Sequence, residues 1–424
     1  KKDRSQIYEV VDANLKSDYK TKPLAVAQVK DDKIPELYGT RIGVGFGSAW
    51  ITRAGFLYNS RRSRTLSYGI IANHFANKYS LAKNSKNTMH LYVKKINPSY
   101  IFLINLDYDR KTALYYDEEL ALEEEKFFRN RFAYTKLSFS AISKQVSGQK
   151  LKHHTTFFVS DLNELSENQI HFSSNLSKTI NGFPFSLEIE FNDYLSYNNS
   201  DSEFENTDLK LLSFSPATSF TKYDINFDLA VDFDFISDDA PIAFFPQIKS
   251  TKELVKDILL LYCGLRHNKK RNTLKSLSDE NPYIHSFGSN QSILENSSFL
   301  QELKITDTQE LYLAMRNFLG KREVFEGGVA YAIVRNFSHF FGLTNNNYNR
   351  FQVDYLDVKQ SHAYINYDRG INDFLSLSVN IDYYKWDKEI YHKPNFTCAV
   401  SVPVNLRNKI KVVPSLIYLA KRGS

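Results

Sequence analysis

Residues 223–235 read YDINFDLAVDFDF, and this stretch decides the fold. Successive side chains of a β-strand point to opposite faces, so one face here is apolar and the other is acidic. The apolar face carries Tyr223, Ile225, Phe227, Leu229, Val231, Phe233 and Phe235, and the acidic face carries Asp224, Asp228, Asp232 and Asp234. Soluble strands usually have roughly 5–6 residues, whereas a tilted membrane strand needs roughly 9–11. The stretch therefore predicts a membrane strand, with Ile225 to Phe233 facing lipid and the aspartates facing a lumen.

The same alternation recurs along the chain. The second clearest run is residues 183–191. Its polar face carries Pro184, Ser186, Glu188 and Glu190, and its predicted lipid-facing side carries Phe183, Phe185, Leu187, Ile189 and Phe191. Turn-forming residues fall between the runs, as at residues 198–202 and 368–370. The pattern predicts an all-β fold, a transmembrane antiparallel up-and-down β-barrel of about 14–16 strands. We expect residues 36–424 to form this barrel and residues 1–35 to be an N-terminal extension.

The composition agrees with a membrane barrel. Aromatic residues make up 14% of the chain, and they gather near the ends of strand-like runs, at Tyr194, Tyr383-Tyr384 and Trp386. The mean hydropathy is −0.41, which a barrel tolerates because only alternate residues face lipid. No apolar run approaches the roughly 20 residues of a membrane helix. A soluble all-β binding protein with two stacked sheets remains the alternative fold.

Several segments resemble the TonB-dependent-receptor-like outer-membrane barrels of Bacteroidota. They include Leu37-Tyr38-Gly39, the glycine-rich Ile42 to Gly47, Asn105 to Arg110, and Glu280-Asn281-Pro282-Tyr283-Ile284. The resemblance runs from about residue 36 onwards and implies a barrel in the bacterial cell outer membrane. Importers of this family carry an N-terminal plug domain of well over a hundred residues. Only some 35 residues precede the first predicted strand, so we expect a relative without a plug domain.

The sequence offers no persuasive catalytic or metal site, and we expect neither an enzyme nor a cofactor. His153 and His154 are adjacent, and adjacent residues of a strand point to opposite faces. His74 and His171 lie near serines, so a barrel-embedded hydrolase is a weak alternative. The acidic row Asp224, Asp228, Asp232 and Asp234 has two interpretations. It binds a cation such as calcium, or lysines and arginines on neighbouring strands across the lumen neutralise it, which we favour.

These observations favour a non-catalytic outer-membrane barrel that is a subunit of a larger transport, secretion or barrel-assembly complex. The second hypothesis is a passive or ligand-selective channel resembling a porin, since the lumen-facing rows are charged. The expected partners are outer-membrane lipid and lipopolysaccharide, together with other outer-membrane or surface lipoprotein subunits, of which the barrel-assembly machinery is one candidate. The basic clusters are short and lie between strand-like segments, so no nucleic-acid partner is expected.

Overall fold

The computed structural model describes fourteen stretches of the chain, and every structural statement below concerns these residues. They are residues 39–48, 50–61, 63–79, 82–114, 129–144, 151–163, 167–196, 209–236, 243–284, 304–320, 322–342, 351–390, 393–406 and 410–420. Within these stretches, no helix has both the length and the apolar character needed to cross a membrane. The extension predicted for residues 1–35 lies outside the described residues and stays a prediction.

Long strands make up nearly all of the described chain. In order they are β1 Thr40–Gly47, β2 Ile51–Asn59, β3 Leu66–Tyr79, β4 Ala82–Ile96, β5 Tyr100–Leu114, β6 Arg129–Ser143, β7 Lys152–Leu162, β8 Glu167–Ile180, β9 Phe183–Ser196, β10 Leu209–Lys222, β11 Ile225–Ile236, β12 Ala243–Val255, β13 Leu259–Arg271, β14 Ile305–Gly320, β15 Glu323–Gly342, β16 Phe351–Gly370, β17 Ser376–Trp386, β18 Phe396–Ser401, β19 Val404–Leu406, β20 Ile410–Val412 and β21 Ser415–Leu419. One short helix, α1 Leu274–Glu280, lies between β13 and β14.

The strands form one antiparallel sheet with up-and-down topology. Each strand from β1 to β17 pairs with the next, and β18 pairs with β21, which gives 19 strands in the sheet. Strands β19 and β20 form a separate small hairpin. The fold class predicted from the sequence is confirmed, and the alternative of two stacked sheets is wrong.

The predicted number of strands, about 14–16, is too low. The first half of strand β4 contains Lys83-Asn84-Ser85-Lys86-Asn87, where no apolar face is visible in the sequence. Two-residue turns also hide the boundaries between strands in the sequence. Tyr223 and Asp224, which the alternation pattern assigned to the start of a strand, have φ of 54° and 57°. Positive φ at both central residues is the geometry of a type I′ turn. The pair therefore joins β10 to β11, and Asp224 lies in the turn instead of on the strand.

The outward face of the sheet is apolar. On β14 the alternate residues Leu311, Leu313 and Met315 have 63%, 48% and 42% of their surface exposed. Val329 and Ile333 on β15 are similarly exposed. Water disfavours a continuous apolar face of this kind, whereas the hydrocarbon of a membrane accommodates it.

The two outermost strands of the sheet run in the same direction. Within the described residues, β1 pairs only with β2, and β21 pairs only with β18. Neighbouring strands alternate in direction, so the first and the nineteenth are parallel to each other. Both edges are also exposed, with Phe46 at 83% and Leu416 at 70%.

Candidate functional site: a hairpin folded into the barrel

Strand β13 leaves the barrel wall halfway along its length. Its pairing with β12 runs from Val255↔Leu259 to Ile248↔Leu265 and stops there. Its pairing with β14 continues without a break to Arg271↔Ile305. Beyond Leu265, β13 therefore separates from β12 and stays paired with β14, which itself stays paired with β15 as far as Asp307↔Arg335. We call residues 266–284 and 304–310 the inner hairpin.

One face of each strand changes character at this point of separation. On β13 the alternate residues Leu259, Leu261, Cys263 and Leu265 are followed by His267, Lys269 and Arg271. On β14 the same face runs from Met315, Leu313 and Leu311 to Gln309 and Asp307. The apolar part faces outwards with the rest of the wall, and the charged part contacts the inner face of other strands. This switch within one face is the sequence signal that would have located the hairpin.

His267 is held between two carboxylates inside the barrel. Its Nδ1 lies 2.9 Å from Asp232 Oδ2 on β11, and its Nε2 lies 2.6 Å from Asp307 Oδ1 on β14. The His267 ring stacks on Phe245 of β12 with the centroids 3.9 Å apart. Asp232 also accepts hydrogen bonds from Ser215 and Gln247. The side chain of His267 is only 2% exposed, so this contact fixes the start of the inner hairpin.

Lys269 and Arg271, the next two residues on the same face of β13, reach further strands of the wall. Lys269 forms an ion pair with Asp234 of β11 and donates to Ser213 Oγ of β10 at 3.1 Å. Arg271 forms an ion pair with Glu190 of β9. The side chain of Asp234 is 1% exposed. The ion-pair partner of Asp234 is thus a lysine of the inner hairpin and not of a neighbouring wall strand.

Helix α1 continues this path around the inside of the wall. Thr273 caps it, since its hydroxyl accepts from Ser276 N at 3.0 Å. Glu167, the first residue of β8, accepts from Leu274 N at 2.8 Å and from Lys275 N at 3.3 Å. These amides belong to the first turn of the helix and have no partner within it. A buried carboxylate of the wall thus supplies the acceptor that the helix lacks.

The end of the inner hairpin reaches the opposite side of the lumen. Lys275 Nζ lies 3.2 Å from Asp109 of β5, and Asn130 of β6 donates to the carbonyls of Pro282 and Ile284. Ile284 then forms a parallel bridge with Phe351 of β16. One segment can touch β11, β9, β8, β5 and β16 only if the sheet curls around it. The inner hairpin therefore crosses the lumen from wall to wall.

Two carboxylates of α1 are paired with lysines from different elements. Asp279 binds Lys111 of β5 and Lys275. Burial raises the pKa of Asp279, but the hydrogen bonds from Lys111 and Lys275 outweigh burial and hold this pKa below its usual range. The pKa of Glu280 is lowered in the same way, against burial, by hydrogen bonds from Lys393 and Lys270.

An apolar cluster fixes the helix beneath these ion pairs. Leu277 and Ile284 are fully buried, and they pack with residues of the wall. The other buried members of the cluster are Phe132, Leu162, Tyr194, Leu211, Leu274, Ile305 and Phe340. Tyr194, one of the aromatic residues near the ends of strand-like runs, lies in this interior cluster because it is on the inward-facing side of β9.

The remaining residues singled out in the sequence are spread over the sheet. Asp228 is exposed on β11, four residues before the buried Asp232. Phe183 and Phe185 of β9 are 52% and 44% exposed. The lipid-facing row as a whole, Phe183, Phe185, Leu187, Ile189, Phe191, Ile225, Phe227, Leu229, Val231 and Phe233, occupies the odd-numbered positions of β9 and β11. Contact of this row with lipid stays a prediction.

The histidines considered for chemistry make structural contacts. His74 Nδ1 lies 2.6 Å from Asn87 Oδ1, and His171 Nδ1 lies 2.7 Å from Asn192 Oδ1. His153 and His154 occupy successive positions of β7. Across the part of the chain that the structure describes, no three His, Cys, Asp or Glu side chains group as ligands of a metal ion.

Solved structures of outer-membrane proteins share this fold. The siderophore receptor PirA from Pseudomonas aeruginosa matches with a TM-score of 0.60 at 11% identity, over 87% of this chain and 67% of that one. The FrpB iron transporter from Neisseria meningitidis matches with a TM-score of 0.67 at 8% identity, over 91% and 69%. The ferric-catecholate import receptor Fiu from E. coli K12 matches with a TM-score of 0.60 at 10% identity, over 90% and 71%. No protein-family model and no curated protein matches the sequence.

Proposed function

We propose that this chain is an integral outer-membrane β-barrel, without catalytic activity, that conveys a substrate through its lumen. The inner hairpin closes the lumen at one mouth in the state described here. The observation that carries the proposal is the path of this hairpin, which is bound to β11, β9 and β8 on one side and to β16 on the other. The receptors and transporters that share the fold support a role in transport.

The lengths of the connections assign the closed mouth to the cell exterior. At the end of the barrel where β13 meets β14, the connections include residues 115–128, 197–208 and 272–304. At the opposite end, β8–β9, β10–β11 and β14–β15 are joined by residues 181–182, 223–224 and 321–322. Outer-membrane barrels have short periplasmic turns and longer extracellular loops. The inner hairpin is therefore the extracellular gate of the proposed pathway.

Conductance in planar bilayers tests this function. The intact protein is expected to conduct weakly, whereas a variant with residues 272–304 replaced by a two-residue turn is expected to conduct through an open lumen. The matched control shortens residues 197–208, which connect β9 to β10 at the same mouth. Equal conductance of the intact protein and the 272–304 variant would contradict the gate. A lumen that stays closed in both variants would exclude the channel.

A second candidate, a subunit of a larger outer-membrane complex, is favoured by the two edges of the sheet, β1 and β21, each of which pairs on one side only among the described residues. Strands β1 and β21 are parallel, so antiparallel closure between them needs an odd number of further strands. The edge strands of a second copy of this chain in the same membrane orientation would pair with β1 and β21 only in parallel. The partner that we propose at these edges is a β-strand of another outer-membrane protein or surface lipoprotein, added by main-chain hydrogen bonds.

A photo-crosslinking amino acid at Gly43 of β1 tests this partner, since a Cβ there meets nothing within 4 Å. In native outer membranes we expect a covalent product with a second protein. The control position is Val329, which is 57% exposed on the interior strand β15. A crosslink to this chain itself, or the same products from Gly43 and Val329, would rule out the partner strand. The barrel-assembly machinery is one candidate that mass spectrometry of the product would identify. Membership of Bacteroidota and the absence of a plug domain stay predictions from the sequence.

A further inference from the structure

A groove of about 500 Å³ lies in the outward face of the wall, where β13 to β17 run side by side. Two small residues, Gly327 of β15 and Ala363 of β16, form its floor. The register places Gly327 between Met315 and Ile365 of the neighbouring strands. Longer apolar side chains therefore rise around a low floor. They are Leu261, Leu313, Met315, Phe325, Val329, Ile365, Ile381 and Tyr383.

The groove is open to the surroundings of the barrel, because Leu313, Met315 and Val329 on its border are all exposed. Among the described residues, no charged side chain lines it. An apolar cavity of roughly 150 Å³ already holds a benzene molecule, so this groove has room for a longer hydrocarbon. Left empty, it would deprive its apolar lining of contacts. Because this face lies against the membrane, an acyl chain is the hydrocarbon that reaches it.

The groove lies in the periplasmic half of the wall. Phe325 is three residues from the turn 321–322 that joins β14 to β15, and Val329 is seven residues from it. With a rise of about 3.4 Å per residue and a strand tilt of about 40°, they lie about 8 Å and about 18 Å from the turn. The apolar band of an outer-membrane barrel is about 25 Å tall, and its short turns are periplasmic. A chain in the groove therefore belongs to a lipid of the inner leaflet.

A charged pair stands on the same face, between the groove and the periplasmic turn. Glu323 and Arg369 are opposite each other in the register of β15 and β16. Arg369 Nε lies 3.9 Å from Glu323 Oε2, and Tyr367 donates to Glu323 at 2.6 Å. The Arg369 side chain is 53% exposed, and a guanidinium carries five N–H donors, more than one carboxylate uses. The pair thus offers a cation and an anion to a zwitterionic group.

We propose that the groove and this pair bind one phospholipid of the inner leaflet. An acyl chain lies over Gly327 and Ala363, and the headgroup lies at Arg369 and Glu323. The phosphate meets the guanidinium of Arg369, whose planar fork suits phosphate oxygens, and the ammonium group of a phosphatidylethanolamine meets the carboxylate of Glu323. Glu323 is four residues from Gly327 on the same face, about 10 Å along the membrane normal, which an acyl chain spans. The inference goes beyond the proposed function and shares with it the orientation of the barrel.

Native mass spectrometry of the full chain tests this inference. The protein is freed of lipid in detergent and titrated with palmitoyl-oleoyl phosphatidylethanolamine. We expect one lipid molecule to bind before any other. Synthetic lipid A, whose phosphates belong to the opposite membrane surface, is expected to bind more weakly at the same concentration.

Variants that fill the groove test the place of the acyl chain. A Cβ at Gly327 would lie 3.4 Å from Phe325 Cζ and 3.5 Å from Tyr364 O, so the backbone accepts a side chain there. Gly327→Leu is expected to weaken the first binding step about tenfold, which corresponds to about 1.4 kcal/mol of lost packing. Ala363→Leu fills the groove from the next strand and should act alike. The matched control, Ala72→Leu, adds the same bulk to the outward face of β3 and should leave binding unchanged.

Variants of the charged pair test the place of the headgroup. Arg369→Gln is expected to weaken binding of phosphatidylethanolamine about fivefold, the effect of losing an exposed ion contact of about 1 kcal/mol. Binding of dioleoylglycerol, which has no phosphate, should not change in this variant. Arg369→Lys keeps the charge and should retain most of the affinity. Heat-dependent migration in detergent gels shows which variants are folded.

Four results would overturn the inference. They are binding without a preferred first lipid, unchanged binding in both groove-filling variants, tighter binding of lipid A than of phosphatidylethanolamine, and a dimer of the chain that excludes the lipid. Equal losses for phosphatidylethanolamine and dioleoylglycerol in Arg369→Gln would remove the headgroup from the site. Failure of the proposed function is a separate result, because conductance is measured in bilayers and this binding in detergent.

Discussion

Truncation of Leu277 should open the gate without unfolding the barrel. Leu277 is fully buried in the cluster that holds α1 against the wall. A buried Leu→Ala substitution costs about 2–5 kcal/mol, and about 1.4 kcal/mol corresponds to a factor of ten in an equilibrium constant. The undocked population of the inner hairpin should therefore rise between about 30-fold and a few thousand-fold. The backbone hydrogen bonds between the wall strands do not involve Leu277, so the strand ladders should keep their stability.

Hydrogen exchange measures this directly. The amides of Leu277 and Asn281 donate to Thr273 O and Leu277 O within α1, so their exchange rates should rise in Leu277→Ala by the same factor as the undocked population. Amides of β5 and β6 should exchange as before. Leu313→Ala, on the outward face of β14, is the matched control and should change neither set. Unchanged protection of α1 in Leu277→Ala, or an equal loss in β5 and β6, would refute the reasoning.

Three further perturbations act on other parts of the gate. The pKa values of Asp279 and Glu280 are lowered when the hairpin is docked, so their pairs stabilise docking above the ordinary carboxyl value of about 4. That stabilisation is lost as the pH falls through the lowered pKa values, so bilayer conductance should rise on acidification below pH of about 4. The rise should be smaller in Glu280→Gln, and a conductance that is independent of pH would contradict this. Asp234→Asn leaves Lys269 without its buried partner and should destabilise docking by about 3–5 kcal/mol, whereas Asp234→Leu combined with Lys269→Met should restore docking. Hydrogen exchange of the α1 amides compares the variants. If the double variant loses as much protection as its two single variants together, the ion pair is excluded as the cause. Gly264→Ala would place a Cβ 2.1 Å from Ile248 O and should lower the thermal midpoint of the barrel. Gly43→Ala, where the Cβ meets open space, should not. Equal midpoints would show that the backbones of β12 and β13 move apart without loss of stability.

The wall of the barrel was predictable from residues because one physical rule governs it. Lipid on one side and a polar lumen on the other force a period of two, which is clear in Phe183 to Phe191 and in Ile225 to Phe235. The number of strands was not predictable to the same degree. Strand β4 carries polar residues on both faces of its first half, and a turn of two residues such as Asn181-Gly182 leaves no gap in the pattern.

The inner hairpin was missed because alternation shows faces and not pairing partners. Asp232 and Asp234 read as a row awaiting cations from neighbouring strands, but the nearest neighbours of β11 supply Ser213, Ser215 and Gln247 instead. The imidazole of His267 and the ammonium group of Lys269, both on the second strand along, reach them instead. Only the change from Leu265 to His267 within one face of β13 marks the place in the sequence where the chain leaves the wall.

That change also explains why the inner hairpin folds inwards and does not extend the wall. If β13 continued along β12, its outward face would carry His267, Lys269 and Arg271 in phase with Leu261 and Leu265. Lysine or arginine on the lipid face of a barrel costs about 2–4 kcal/mol each at mid-membrane and about 0–1 near the interfaces. Inside the lumen the same residues meet Asp232, Asp234 and Glu190. The charges therefore disfavour one arrangement and favour the other, so the docked state is selected without a large apolar core. A gate held largely by ion pairs and one small cluster can be released by moderate changes in charge, which is the behaviour that the acidification and Asp234→Asn experiments measure.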